Sequence, residues 1–394
     1  MNQFIFIFIL IISFLSCKFN PLGGNHSQIE IGNTPFLGTP ESFFATPSLG
    51  NLQVNLNWTD AKNADDYSVS YGTSSGIYEN IVDNCTNIKT TSCIINNLKI
   101  GTKYYFKVTA RNIFGSINAK NEAAITCCQR YLYVSNSNDN SIYYCQVSDD
   151  GSLSISTCGT AGSGFSGPTG IAILNSGAYI SNSSNNSVTY CQVSGTGIFY
   201  GCSTASASFS GPNAIVVDSG YIYVLNTNLN SVSSCKILGN GILASCITAV
   251  TGFNIPLGLT IKNGFAYISN SNNNTVSSCA VSNGLLSSCN YVAAGGFAQL
   301  SGIDSNNDYL FVTNFVGNSV SSCVLGGNGV LPSCLFSSAF FSHTSNISVG
   351  SNGFAYVSNS TTNNVSACLI GTNGVLTSCN AVYSNTSVNT VKLN

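Results

Sequence analysis

The feature that most restricts this chain is a unit repeated six times over its C-terminal two thirds. A box of an aromatic residue, an aliphatic residue, Ser or Thr, and Asn recurs as Tyr133-Val134-Ser135-Asn136, Tyr179-Ile180-Ser181-Asn182, Tyr223-Val224-Leu225-Asn226, Tyr267-Ile268-Ser269-Asn270, Phe311-Val312-Thr313-Asn314 and Tyr356-Val357-Ser358-Asn359, with Leu225 the one departure at the third position. Two cysteines follow each box: Cys145 and Cys158, Cys191 and Cys202, Cys235 and Cys246, Cys279 and Cys289, Cys323 and Cys334, Cys368 and Cys379. Subtracting the first cysteine of each pair from the next gives steps of 46, 44, 44, 44 and 45 residues. Such a chain folds as equivalent units, each too small to bury its apolar face alone and therefore packed on its neighbours.

A period in the mid-forties, made of short alternating segments with turn residues between them, is that of a β-propeller blade. In the second unit the pattern predicts four strands, Gly170–Leu174, Ala178–Asn182, Ser187–Val193 and Ile198–Cys202, running from the axis outwards. Inner strands are expected at Ile171–Leu174, Ala214–Val217, Leu257–Ile261, Ser301–Asp304 and Ile347–Gly350, one fewer than the boxes. The first unit begins at its second strand, whereas the last runs on into Val388–Leu393, in register with the inner strands. Closure is therefore expected to combine the two ends of the repeat in one blade, leaving no open sheet edge at the seam.

Antiparallel pairing about Ser194–Gly197 sets Cys191 directly opposite Cys202, the geometry of a hairpin disulfide. Closing a loop of about a dozen residues stabilises by ~3 kcal/mol on the chain-entropy model. Zinc sites use spacings of about two to four residues and converging ligands, so pairs ten to thirteen apart fit staples better than metal, and no metal set is expected. Cys85 and Cys93 are expected to form a local bridge. For adjacent Cys127 and Cys128 a vicinal bond, an inter-domain bond and free thiols all stay open.

Only 7% of residues are charged, against roughly a quarter in ordinary domains. Residues 129–394 hold six Asp, no Glu and four Lys or Arg. A net charge of −2 with no basic stripe excludes a nucleic-acid footprint. Asp218 and Asp304, at the ends of inner strands, are the acids placed to line an axis. Two carboxylates without a Glu or a nearby His make a poor catalytic set, so no catalytic residues and no cofactor are expected; a weak calcium site at either Asp stays open. Asn136, Asn182, Asn226, Asn270, Asn314 and Asn359 are read as caps of the turns that follow them, with a polar rim for a ligand as the functional alternative. Phe165, Phe209, Phe253 and Phe297 are read as wedges between blades, and His26 and His343 as solvated.

At the N-terminus, residues 1–16 form an apolar run of about signal-peptide length, too short to span a bilayer comfortably. Phe14-Leu15-Ser16-Cys17 resembles a relaxed bacterial lipobox, which implies lipidation of Cys17; Phe14 stands where Leu is usual, and no Lys or Arg precedes the run. Setting Cys17 aside leaves 16 of the 17 cysteines, an even number available for pairing. Residues 17–37 have no periodicity and are read as a tether.

From 38 to 127 longer alternating strands appear. Val54–Trp58, Asp66–Tyr71 and the Leu98-x-x-Gly101-Thr102-x-Tyr104 corner, in that order, resemble a fibronectin type III domain. The resemblance implies a spacer or recognition module, with Trp58 in the core and the Tyr104 hydroxyl bonded back to the preceding turn. No Arg-Gly-Asp occurs. The repeats of 128–394, whose boxes are followed by Asn-(Ser/Thr)-Val in the four middle copies and by Asn140-Ser141-Ile142 and Asn363-Asn364-Val365 in the first and last, resemble surface-layer-type β-propellers, a group that shades into lactonase-like propellers. The expected whole is all-β: a fibronectin type III-like sandwich followed by a six-bladed propeller. Its expected role is that of an exported, lipid-anchored envelope or surface protein, monomeric and non-catalytic, that presents the propeller to a protein or glycan. The alternatives are a hydrolytic, lactonase-like propeller and a purely structural envelope protein.

Overall fold

The computed structural model describes residues 36–394 apart from 49–52, 97, 100–101, 128, 149, 207, 293–295, 338–340 and 386. The expected signal peptide, Cys17, His26, nearly all of the tether, Cys128 and Asp149 lie outside the described residues. No helix among the described residues is long and apolar enough to cross a membrane.

The first folded segment is a sandwich of two antiparallel sheets. Phe44–Ser48, Gln53–Asn57 and Ser92–Ile95 form one; Asn80–Ile81, Asp66–Gly72, Lys103–Asn112, Gly115–Asn118 and Ala123–Thr126 form the other. Period-2 alternation sets the core: Tyr104, Phe106, Val108 and Ala110 all point inward from one strand and are buried. Trp58 packs between Phe43 and Tyr67, with ring centroids 6.1 and 5.5 Å away. The Tyr104 hydroxyl accepts the Lys99 backbone N–H at 2.8 Å, which fixes the corner as its sequence implied. Cys85 is bridged to Cys93.

Beyond it, six four-stranded antiparallel sheets follow among the described residues. The inner strands are Pro168–Leu174, Pro212–Asp218, Pro256–Lys262, Leu300–Ser305, Thr344–Val349 and Val391–Leu393, each in contact with the next around a ring. The last pairs with Arg130–Asn136, matching Val391 to Val134 and Leu393 to Leu132, so one blade is built from both ends of the repeat. We number this mixed blade one and the others two to six in chain order. In blade two the strands run Pro168–Leu174, Gly177–Asn182, Ser187–Val193 and Phe199–Ser206; the outer one begins a residue later and reaches four residues further than its pattern suggested.

The four box residues are buried in every blade because both faces of their strand meet other blades. Ile180 packs with Tyr133 of blade one, while Tyr179 packs with Ile215 and Val224 of blade three. Alternation therefore sends the aromatic forward and the aliphatic back, and full burial of such a side chain is worth ~1.5–3 kcal/mol. Phe165, Phe209, Phe253 and Phe297 are buried between blades, as is Phe341, whose place in the pattern the sequence reading passed over.

Seven disulfides are present among the described residues, six of them one per blade. Cys127 is also disulfide-bonded. So many bridges mark an extracellular or exported protein. The expected register needs correction: Cys191 does not stand directly opposite Cys202. Tyr190 faces Ser203 and Gln192 faces Tyr200, so Cys191 meets the two-residue bulge Gly201-Cys202. The same bulge recurs in blades three, four and six. The residue before the second cysteine is left-handed each time: Gly201 at φ +59°, Ser245 at +51°, Ser288 and Ser378 at +49°. Only blade five sets its cysteines face to face, Cys323 on Cys334.

A second left-handed pair joins blades. Asn140, Asn186, Asn230, Asn274 and Asn318 all have positive φ, and each side-chain oxygen accepts a backbone N–H from the loop leading into the next blade, on Gly167, Gly211, Ile255, Gln299 and His343. Those five receiving residues are left-handed as well. Ile255, at φ +48°, is the misfit, because a β-branched side chain in this region is strained by ~1–2 kcal/mol. Ile255→Gly keeps the N–H, gives up little burial and loses some unfolded-state rigidity. A net gain of ~0.5–1 kcal/mol is expected, read as a raised urea midpoint; an unchanged or lowered midpoint contradicts the strain.

Candidate functional site

Chemistry in a closed ring of blades has two places to sit, the axis and the loop faces. Successive inner strands approach so closely at the axis that a Cβ on Gly170, Gly258 or Gly302 would collide with the backbone of the neighbouring strand at Asn213, Ser301 or Asn346. One layer further along, the ring is Ala172, Val216, Thr260, Asp304, Ser348 and Lys392, apolar on blades two and three and polar on the rest.

Asp304 organises the polar half. Its carboxylate accepts the N–H of Ser305 at 2.9 Å, the N–H of Val349 at 3.0 Å and the Thr260 hydroxyl at 3.3 Å, and Lys392 Nζ stands 3.8 Å away. It thereby ties together blades four, five, six and one. The remaining axial cavity is about 50 Å³, room for a few waters and nothing larger. Asp218, the second acid the sequence put forward, ends its strand opposite Tyr221 and is not among the residues lining that cavity. The two carboxylates are thus not brought together, and among the described residues no three His, Cys, Asp or Glu side chains converge.

The six box asparagines do not form a rim. All are 0–1% exposed. Asn182, Asn226, Asn270 and Asn314 each accept the backbone N–H of the residue sixteen positions earlier, on the loop that enters their own blade, and Asn359 accepts that of Ser342. Their Nδ2 groups donate across to the third strand: Asn314 to Ser319 at 3.0 Å and Ser321 at 2.8 Å, Asn270 to Thr275 and Ser277. Asn136 alone caps the turn that follows it, accepting the Asn138 N–H at 3.0 Å. These side chains clamp loop to strand and present nothing outward. His343 is likewise engaged rather than merely solvated: its Nδ1 lies 2.7 Å from the Thr361 hydroxyl and its ring packs edge-on to Phe315.

On the face where the inner strands turn back, the loops open more widely. Lys262, Asn306, Asn307, Asp308 and Ser351 surround a depression of about 500 Å³, with Lys262 Nζ held by the Asn307 side chain at 2.8 Å. Two charges among amides and hydroxyls suit recognition of a polar surface better than bond breaking.

Residues 38–125 match the fibronectin type III domain family. The chain is similar in structure to the crystal structure of a nidogen/laminin complex, at 12% identity and a TM-score of 0.56, over 67% of this chain and 98% of that one. A putative 6-phosphogluconolactonase from Bacteroides fragilis matches at 15% identity and a TM-score of 0.51, over 68% and 97% of the two chains. The periplasmic gluconolactonase PpgL of Pseudomonas aeruginosa matches at 13% identity and a TM-score of 0.50, over 83% and 98%. At such identities the likeness is one of fold, here the β-propeller. No curated protein matches the chain as a sequence relative.

Proposed function

We propose that this chain is an exported, non-catalytic binding module of the cell envelope, anchored through a lipid on Cys17, with the fibronectin type III segment as spacer and the propeller presenting loops poor in charge to a protein or glycan. The observation that carries the reading is the axis. Its free space of about 50 Å³ is far below the ~300–1,000 Å³ of small-molecule sites, and its one acid is taken up in holding four blades together. Recognition is left to the faces. An acylated Cys17 would hold the chain at a membrane, at ~0.8 kcal/mol per buried methylene.

The test is a paired assay on the exported protein: binding to glycan and host-matrix protein arrays, and turnover of a panel of sugar lactones. Array binding without turnover is expected. Lactone hydrolysis lost on Asp304→Asn would overturn the reading in favour of a hydrolytic propeller. Mass spectrometry of the mature N-terminus is expected to find a diacylglyceryl group on Cys17, and an unmodified mature N-terminus downstream of it removes the anchor.

A further inference from the structure

In a ring of near-copies, the departures from the repeat mark what one blade does and the others do not. Two residues before each box stand Tyr131, Gly177, Tyr221, Phe265, Tyr309 and Phe354. In blades three to six that ring is the seat for the hairpin glycine of the next blade: Gly284 on Tyr221, Gly329 on Phe265, Gly374 on Tyr309, Gly151 on Phe354. Blade two has Gly177 there, and Tyr190 from the third strand fills the space and seats Gly241 instead. The residue equivalent to Tyr190 is Ser234, Ser278, Ser322 or Ala367 in blades three to six.

Blade one alone has both aromatics. Tyr131 seats Gly197, and its hydroxyl donates to the Gly195 carbonyl at 3.2 Å. Tyr144 therefore has no hairpin glycine of the next blade to seat; it lies half-exposed, one side against Gly159 and the core shared with blade two, and edge-on to Tyr131 with centroids 5.6 Å apart. A second departure adjoins it. Tyr144 faces Gly159 and Gln146 faces Ser154, so four residues of the outer strand oppose Cys145 where other bulged blades place two. The extra length sets Ser156 and Thr157 beside the two tyrosines.

Together with Gln129, Gln146 and Thr196 they line a cleft of about 600 Å³ that contains no charged side chain. Rings that offer an apolar face, flanked by amides and hydroxyls that both donate and accept, match a ligand that is itself apolar on one side and rich in hydroxyls, and carries no charge. The volume is that of a small-ligand site.

We infer that the cleft between blades one and two binds a neutral saccharide, Tyr144 stacking on the sugar ring and the Gln146 side-chain amide taking its hydroxyls. This rests on the binding-module reading above and names its ligand and place. Saturation-transfer NMR on the full exported chain, with a panel of neutral mono- and disaccharides as the probes, is the test. Transfer to at least one sugar is expected, weakened about tenfold or more by Tyr144→Ala and by Gln146→Ala. Because Tyr144 is half-exposed and seats no hairpin glycine of the next blade, its variant is expected to melt within a few degrees of the parent. Should it not, Thr196→Trp, an exposed turn substitution that fills the cleft, is expected to abolish the same transfer. Sugar contacts that survive Gln146→Ala and Thr196→Trp overturn the site while leaving a glycan-binding module in place. Transfer to no sugar overturns the inference, and array binding to a protein would then keep the wider reading alone.

Discussion

Reduction of the six hairpin disulfides is expected to unfold the propeller at temperatures where the oxidised chain is stable. Each bridge closes a loop of 10 to 13 residues, worth ~3 kcal/mol at the ceiling of the chain-entropy estimate. Six at that ceiling exceed the ~5–15 kcal/mol that separates a folded domain from its unfolded ensemble. Even half of it removes most of that margin. A single bridge is gentler: Cys235→Ser with Cys246→Ser is expected to cost ~2–3 kcal/mol, about 4–12 °C in melting temperature. The check is thermal melting followed by circular dichroism, with and without a phosphine reductant, free thiols being counted in parallel. A fully reduced chain that melts within a few degrees of the oxidised one would show that blade packing alone holds the ring.

Asn270→Ala is expected to be the most damaging single substitution among the polar residues of a blade. The side chain is fully buried, donates to Thr275 at 3.1 Å and Ser277 at 2.8 Å, and accepts the Asn254 N–H at 3.2 Å. Alanine removes all three bonds, strands a backbone donor and leaves a void. A loss of ~3 kcal/mol follows from the usual cost of unsatisfied buried groups, against a few tenths for the exposed neighbour Asn272→Ala. Urea unfolding of the two variants decides it. Equal midpoints would mean that the loop entering the blade is held by something other than this clamp.

Most of the architecture was legible because it rests on period. The box, the cysteine pairs and the apolar alternation are local, and each recurs often enough to be aligned; Val388–Leu393 was found as the missing inner strand only because five others supplied its pattern. What was not legible depends on backbone sign and on distance along the chain. A serine before a cysteine gives little hint that Ser245, Ser288 and Ser378 turn left-handed, yet that turn shifts the register from which a directly opposed Cys191 and Cys202 had been read. The asparagine clamp joins residues sixteen apart through a loop whose path no periodicity describes, so capping of the next turn looked the better role. In the axis, the sequence named Asp218 and Asp304 alike, and only the fold separates an acid that ties four blades from one that faces a turn. The cleft on blade one was visible as a longer cysteine spacing, 13 residues against 10 or 11. Its use required knowing that Tyr144, unlike Tyr190, has no hairpin glycine of the next blade to seat.

The seam in blade one also orders events in time. Tyr131 is bonded through its backbone N–H to the side chain of Asn394, 263 positions away, whereas every staple spans fewer than fifteen. As the polypeptide is threaded across a membrane, each hairpin can be oxidised soon after it emerges, but the circle waits for Val391–Leu393 and Asn394 to arrive. An exporting cell therefore handles a string of cross-linked hairpins, resistant to full unravelling yet not a finished body, until the tail docks. Trimming a handful of residues from that tail would leave every sulfur bridge intact and the circle permanently unlatched.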